Sequence, residues 1–225
     1  VPVSFVGKVG NDVFGNELLD ALEKEAVDVS GVQKSSEDSG TAFITVFEET
    51  SQNQIIVILG ANALVNSDQV TEETLISSKI LIAQLETPSE ETEKLFKRSK
   101  EFDCYRILNT APVHNLSNSL MNESDLLIMN ETELAALSGD SPSRQFTPSV
   151  LNKSLEKIPL TNRQSVIVTL GSQGVYVYEN KIGTLVPGLD VVSVDTTGSG
   201  DCFVGALATQ YLEHGNLVDA AYFAN

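Results

Sequence analysis

Ile80-Leu81-Ile82-Ala83-Gln84-Leu85, Tyr105-Arg106-Ile107-Leu108-Asn109, Leu126-Leu127-Ile128-Met129 and Ser165-Val166-Ile167-Val168-Thr169-Leu170 are four short apolar runs in a chain of 225 residues. Runs that are apolar at successive positions, and not only at alternate ones, suit strands buried on both faces. Glu90–Phe102, Leu116–Met121, Glu131–Leu137 and Val150–Lys157 lie between the runs and are predicted helices, and a last helix is predicted over Cys202–Leu212. Strands of this length alternating with helices predict a three-layer α/β/α fold around a mostly parallel sheet.

Toward the N-terminus, Val3–Val9 is a predicted strand, Gly10-Asn11-Asp12 a turn and Phe14–Ala26 a helix, with Phe14, Leu18, Ala21, Leu22 and Ala26 forming its apolar face. Gly40–Glu48 and Gln54–Leu59 are β-rich runs separated by Glu49-Thr50-Ser51-Gln52-Asn53, a hairpin with a longer loop. This hairpin breaks the alternation and is expected to project from the α/β body as a lid over a site. The chain is thus expected to be one domain, residues 1–225, with residues 39–60 contributing a small β-lid. Ser138–Pro148, rich in Ser, Pro and Gly, is expected to be a surface loop.

Hydrophobic residues make up 41% of the chain, enough for a packed core and too many for general disorder. Asp and Glu outnumber Lys and Arg 31 to 14, for a net charge of −17. Such a chain repels phosphate backbones and anionic lipid, which argues against nucleic acid and membrane partners. Any anion it binds must be held by local dipoles. Cys104 and Cys202 are too isolated for a disulfide framework or a structural zinc site, and are expected to be reduced thiols.

The strongest chemical signal is Val194-Asp195-Thr196-Thr197-Gly198-Ser199-Gly200-Asp201-Cys202-Phe203-Val204-Gly205-Ala206, a short strand and a glycine turn opening a helix near Cys202. The first amides of a helix lack partners within it and carry the positive end of its dipole, so such a turn can cradle a phosphate. Asp201 would oppose plain anion binding. It makes sense either as an ordinary helix cap or as a base that takes a proton from a hydroxyl attacking the phosphate. Upstream, Val166–Tyr176 is a buried strand with a Gly171-x-x-Gly174 turn, placed where open α/β sheets bind ligands. Asn130 and Glu133 stand three apart at a helix start, a spacing that suits a capping box and equally a ligand or its hydrated Mg²⁺. A Walker A sequence is absent, as is the dinucleotide fingerprint after an early strand.

Asp195-Thr196-Thr197-Gly198-Ser199-Gly200-Asp201, Asn130-x-x-Glu133, Thr169-Leu170-Gly171-Ser172-x-Gly174 and Gly7-Lys8-Val9-Gly10-Asn11-Asp12-x-x-Gly15, in their order along the chain, together resemble the ribokinase-like (PfkB) sugar kinases. Gly60-Ala61-Asn62-Ala63, Gln84-Leu85-Glu86 and Asn109-Thr110-Ala111-Pro112 resemble the ribokinase branch more than fructokinases or adenosine kinases. The departures are small: Ser199 stands where Ala is common, Cys202 where a small residue follows the base, and Thr110 where Pro is usual.

The resemblance implies an ATP-dependent kinase that phosphorylates D-ribose to D-ribose 5-phosphate. It implies Asp201 as the catalytic base and the amides of Gly198, Ser199 and Gly200 as an anion hole. Asn130 and Glu133 would organise Mg²⁺ through water, with Asn130, Thr169, Gly171, Gly174 and Asn225 bordering ATP. Glu86 would touch the sugar hydroxyls, with Ala42 and Ile44 on the inner face of the lid, and Asp195 and Thr197 would help hold a monovalent cation, K⁺. A homodimer through the lid and a cytoplasmic location, with the nucleus as a second compartment, are implied as well.

The chain opens in strand-like sequence without Met and stops in a predicted helix, so both ends are expected to be cut. On the family pattern, the first-strand Asp and the Gly-Gly-Lys-Gly-Ala-Asn segment that grip the sugar would precede Val1. Two alternatives stay open: a related kinase acting on another sugar or a nucleoside, and a truncated ribokinase-like protein without catalysis.

Overall fold

The four apolar runs enter one sheet. The computed structural model describes all residues except 48–51, 114–115, 142–145 and 193–194. Contacts group the chain into two compact units, Val1–Thr74 with Glu86–Leu95, and Leu75–Leu85 with Phe96–Asn225.

In the first unit, β1 (Ser4–Gly10), α1 (Val13–Lys24) and β2 (Asp28–Ser35) form a strand-helix-strand element whose two strands pair in parallel. The alternation therefore begins earlier than the apolar runs announce. β2 was not legible because Ser30, Gly31, Gln33 and Lys34 interrupt any apolar pattern. β3 (Thr41–Phe47) and β4 (Gln52–Ile58) form the expected antiparallel hairpin, with Thr41 opposite Ile58 and Phe47 opposite Gln52. Part of its expected loop lies outside the described residues. Two short 3-10 turns, Gly60–Leu64 and Ser67–Gln69, then lead into α2 (Glu72–Ser77).

The order continues with β5 (Ile80–Ala83), α3 (Ser89–Ser99), β6 (Tyr105–Asn109), α4 (Asn118–Glu123), β7 (Leu126–Asn130), α5 (Glu131–Ser138), α6 (Pro148–Leu155), β8 (Ser165–Thr169), β9 (Val175–Glu179), β10 (Ile182–Val186), α7 (Ser199–His214) and α8 (Leu217–Ala224). The sheet of the second unit has the order β10-β9-β8-β7-β6-β5. β5 to β8 are parallel, while β9 and β10 extend the sheet as antiparallel strands.

Successive residues of each central strand enter different cores, which explains the continuous apolar runs. Leu108, Leu127, Met129, Val166 and Val168 pack with Leu120, Leu134, Leu151 and Leu155 of α4, α5 and α6 on one face. Ile107, Leu126, Ile128 and Ile167 pack with Phe203, Val204, Leu207, Ala220 and Ala221 of α7 and α8 on the other. The three-layer α/β/α architecture follows directly. Each fully buried Leu or Ile adds roughly 1.5–3 kcal/mol of transfer free energy, so this unit is a firm platform for its strand ends.

Cys104 is buried, Cys202 is exposed, and neither is bridged. Among the described residues, no helix is long and apolar enough to cross a membrane.

Candidate active site

Parallel strands point their carboxyl ends the same way, so the residues that terminate β6, β7 and β8 gather on one edge of the sheet. Asn109, the last residue of β6, lies opposite Ile128, and Asn130, the last of β7, lies opposite Thr169, the last of β8. This edge is where open α/β sheets take their ligands.

The turn from β7 into α5 is a complete capping box. Asn130 Oδ1 accepts from the amides of Thr132 and Glu133, each at 2.9 Å, and Glu133 Oε2 accepts from the Asn130 amide at 2.9 Å. Thr110, just past β6, donates a weak hydrogen bond of 3.5 Å to the same Glu133 oxygen. Asn109-Thr110-Ala111-Pro112 stands out in the sequence only through its resemblance, and this link was not legible there because it depends on the registry of β6 against β7. The box uses Oδ1 of Asn130 and Oε2 of Glu133, and leaves Asn130 Nδ2 and Glu133 Oε1 outside it. Capping and ligand binding, alternatives on spacing alone, are therefore compatible.

Glu133 is only 7% exposed, and burial pushes its carboxyl up from the ordinary value, partly opposed by the Asn130 amide and the Thr110 hydroxyl. An acid whose folded pKa is raised contributes stability that is fully present below its unfolded pKa and lost as pH rises through the folded one. Glu133→Gln keeps an oxygen for the Asn130 amide and removes the buried charge. The variant is therefore expected to melt higher than the wild type at pH 8 and to approach it near pH 4. Thermal melts across that range check the difference; a constant offset between the two proteins would contradict it.

Thr169 ends β8, and its hydroxyl reaches the Met129 carbonyl at 3.5 Å. The turn that follows contains Gly171, which is exposed, and Gly174, which is buried. A Cβ on Gly174 would lie 2.1 Å from the Val186 carbonyl oxygen and 2.4 Å from the Gly188 amide, so chain packing alone demands glycine there.

At the second element of the site, α7 begins at Ser199, three residues before the predicted start near Cys202. Gly198 occupies the cap position in the left-handed region at φ 72°, a conformation natural to glycine, so no side-chain cap marks the boundary. The strand predicted before this turn falls partly on residues 193–194, outside the described residues. Asp201 is consequently the third residue of the helix, exposed and inside the first turn, and not its cap.

The helical ladder starts with the Cys202 amide donating to the Gly198 carbonyl at 2.9 Å, and the Ser199 amide donates to the Thr196 carbonyl at 3.1 Å. The amides of Gly200 and Asp201 lie in the turn before that ladder. Among the described residues, a Cβ on Gly200 would meet nothing within 4 Å beyond its own helix and chain neighbours, so they impose no steric need for glycine at that position. Three and four residues after Gly200, Phe203 and Val204 are buried against the sheet, so a packed helix carries the exposed Asp201.

Asp195 Oδ1 accepts from the Thr197 amide at 2.9 Å, which shapes the approach to α7, and this bond first of all holds the Asp195 carboxyl below its ordinary value. Thr197 is exposed. Asn225, after α8, donates from Nδ2 to the Pro187 carbonyl at 2.8 Å.

The second unit thus contains Asn130, Glu133, Thr169, Gly171, Gly174, Asp195, Thr197, Asp201 and Asn225. Ala42, Ile44 and Glu86 belong to the first. Ala42 is exposed on β3 opposite Val57, and Ile44 lies two residues on, opposite Ile55; the Ile44 side chain lies outside the described set. Glu86 is exposed.

Among the described residues, no group of three or more His, Cys, Asp or Glu side chains is placed to hold a metal ion. The oxygen and amide groups of Glu133 and Asn130 suit a hydrated Mg²⁺, which keeps its waters and binds nucleotide phosphates instead of filling a protein cage.

The sequence matches the pfkB family carbohydrate kinase pattern over residues 1–225. It is 34% identical over 226 residues to a ribokinase of Schizosaccharomyces pombe, covering 99% of this chain and 71% of that protein. It is 31% identical to a deoxyribokinase of Salmonella typhi, covering 97% of this chain and 71% of that one. The structure of Arabidopsis thaliana ribokinase complexed with ribose and ATP superposes with a TM-score of 0.86 at 27% identity, covering 99% of this chain and 73% of that chain.

Proposed function

This chain belongs to the pfkB family of carbohydrate kinases, and from that membership we propose that it transfers the γ-phosphoryl group of ATP to the 5-hydroxyl of D-ribose, giving D-ribose 5-phosphate. The observation that carries the proposal is the first turn of α7, where an exposed carboxylate, Asp201, shares a helix start with Gly200, a glycine the fold itself does not require.

Asp201 takes the proton from the sugar hydroxyl as that oxygen attacks, and the amides of Gly198, Ser199 and Gly200 with the α7 dipole stabilise charge on the transferring group, the Ser199 amide doing so only on leaving the Thr196 carbonyl it meets in this structure. Phosphoryl transfer needs little else beyond positioning and charge stabilisation. Asn130 and Glu133 would hold the waters of a bound Mg²⁺, which would neutralise phosphate charge. Thr169, Gly171 and Gly174 border the nucleotide, with Asn225 toward the adenine, and Asp195 and Thr197 contribute to a K⁺ site beside the anion hole. On the family pattern Glu86 would contact the ribose hydroxyls, and Ala42 and Ile44 belong to the lid strand β3.

The hairpin supports dimer formation: Phe43 and Ile56, paired across the two strands on the face opposite to that of Ala42 and Val57, are 55% and 53% exposed, apolar surface that a second copy would cover. The protein then works as a cytoplasmic homodimer on a small sugar, with the nucleus as a second location.

A second reading, phosphorylation of another pentose such as 2-deoxyribose, draws on the similarity to a deoxyribokinase. ADP release by the full-length protein, measured with D-ribose, 2-deoxy-D-ribose, D-fructose and adenosine, separates the two. A site that hydrogen-bonds the 2-hydroxyl rejects the sugar lacking it, so kcat/KM for ribose is expected to exceed that for deoxyribose by at least about tenfold. A preference for any other acceptor would overturn the ribose assignment while leaving the transfer chemistry standing. No turnover with any acceptor would support a non-catalytic protein.

A further inference from the structure

Asp12 takes no part in the chemistry above, yet its carboxylate makes a denser set of hydrogen bonds than any acid assigned to the site. It caps α1, with Oδ1 accepting from the Gly15 amide at 2.7 Å. The same oxygen accepts from the Ser39 hydroxyl at 2.8 Å, and Oδ2 accepts from the Ser39 amide at 2.7 Å. Ser39 Oγ in turn accepts from the Gly10 amide at 2.9 Å. Ser39 is 4% exposed and stands two residues before β3.

Gly10 leaves room for this grip: a Cβ there would lie 2.4 Å from both Asp12 Oδ2 and the Ser39 amide, whereas one on Gly15 would first meet the Gly10 carbonyl oxygen at 2.3 Å, with Ser39 Oγ at 3.0 Å. The other root of the hairpin is tied to the first, because the Ala61 amide donates to the Asp38 carbonyl at 2.8 Å. Beyond these roots, Ala42, Phe43, Ile56, Val57 and Ile58 are all exposed. Among the described residues, packing within the unit therefore does little to aim the hairpin, which is held at its root.

We propose that Asp12 is a positioning residue whose hold on Ser39 sets the direction of the β3–β4 hairpin and thereby the capture of the acceptor sugar. The idea rests on the reading of the hairpin as a lid. Asp12 is assigned no contact with substrate; it acts through the hairpin that carries Ala42 and Ile44. A second copy seated on one face of the hairpin would need the same fixed direction.

The test uses Asp12→Ser in the full-length protein, since a serine at the cap still serves the Gly15 amide but cannot supply two oxygens to Ser39. Asp12→Asn, which turns an amide donor or a single acceptor toward Ser39, is the companion variant. For both, the acceptor KM is expected to rise about tenfold while kcat at saturating sugar and the ATP KM stay within about threefold, as for a lost positioning contact. Amide exchange in residues 41–47 and 52–58 is expected to quicken while β6, β7 and β8 keep wild-type rates.

Wild-type acceptor KM together with wild-type hairpin exchange in Asp12→Ser would overturn the proposal. An equal loss spread over kcat, both KM values and the melting temperature would overturn it too, by marking a merely structural role. Should the wild-type protein phosphorylate no sugar, the kinase reading falls, and the exchange measurement still judges the clasp.

Discussion

Asp201→Asn is expected to lower kcat by about 10²–10⁴-fold, the range a positioned general base contributes, while ATP affinity stays near wild type. Asparagine matches aspartate in size, so the first turn of α7 keeps its shape, and Asp201 is exposed, so the fold does not depend on its charge. Only the ability to accept the proton of the sugar hydroxyl is removed. Loss of a carboxylate beside the phosphate cradle also removes a repulsion, so ATP is expected to bind no more weakly than before. Turnover of the variant and its ATP affinity by calorimetry are the two readouts. Wild-type turnover would remove the base from Asp201, and a parallel collapse of ATP affinity would assign the residue to nucleotide binding instead.

The chemistry and the stability of this site are separable because different parts of the chain carry them. Leu126 to Met129 and Val166 to Val168 are fully buried and divide between the two cores. They hold the strand ends at Asn130 and Thr169. Asp201, Gly198 and Gly200 are exposed and sit on a helix anchored from Phe203 onward. A catalytic turn on a packed helix can be altered with little cost to the fold.

Burial on both faces is also why the central strands were legible in the sequence: Leu126-Leu127-Ile128-Met129 has no polar residue to spare for solvent. β2 carries Ser30, Gly31, Gln33 and Lys34, is at most half-buried, and showed no such pattern. The β9–β10 turn at Asn180 and Lys181, both at positive φ, was signalled only by Asn180, a residue tolerant of that conformation. At the site, the capping box could be read from three-residue spacing because its bonds are local. The Thr110 link to Glu133 and the Asp12 clasp on Ser39 span 23 and 27 residues, and no local pattern announces them. The early start of α7 escaped notice for a different reason. Gly198 caps it through backbone conformation alone, and Gly200, a poor helix former, occupies its second position.

Gly200 offers the most direct test that the start of α7 is the phosphate cradle. Among the described residues, its added Cβ would meet no atom within 4 Å beyond its own helix backbone and chain neighbours, and alanine is the better helix former. Gly200→Ala is therefore expected to leave thermal stability unchanged or raised by up to about 1 kcal/mol. If the transferring phosphoryl group approaches the amides here, the new methyl group stands in its way. The transfer rate is then expected to fall about 10²-fold, comparable to the loss of one anion-hole donor or a misplacement of about 1 Å. The decisive measurement is the single-turnover rate of phosphoryl transfer by Gly200→Ala, taken beside its melting temperature. A slow reaction in a protein at least as stable as the wild type is the predicted result, and wild-type transfer in the variant would contradict the cradle at α7.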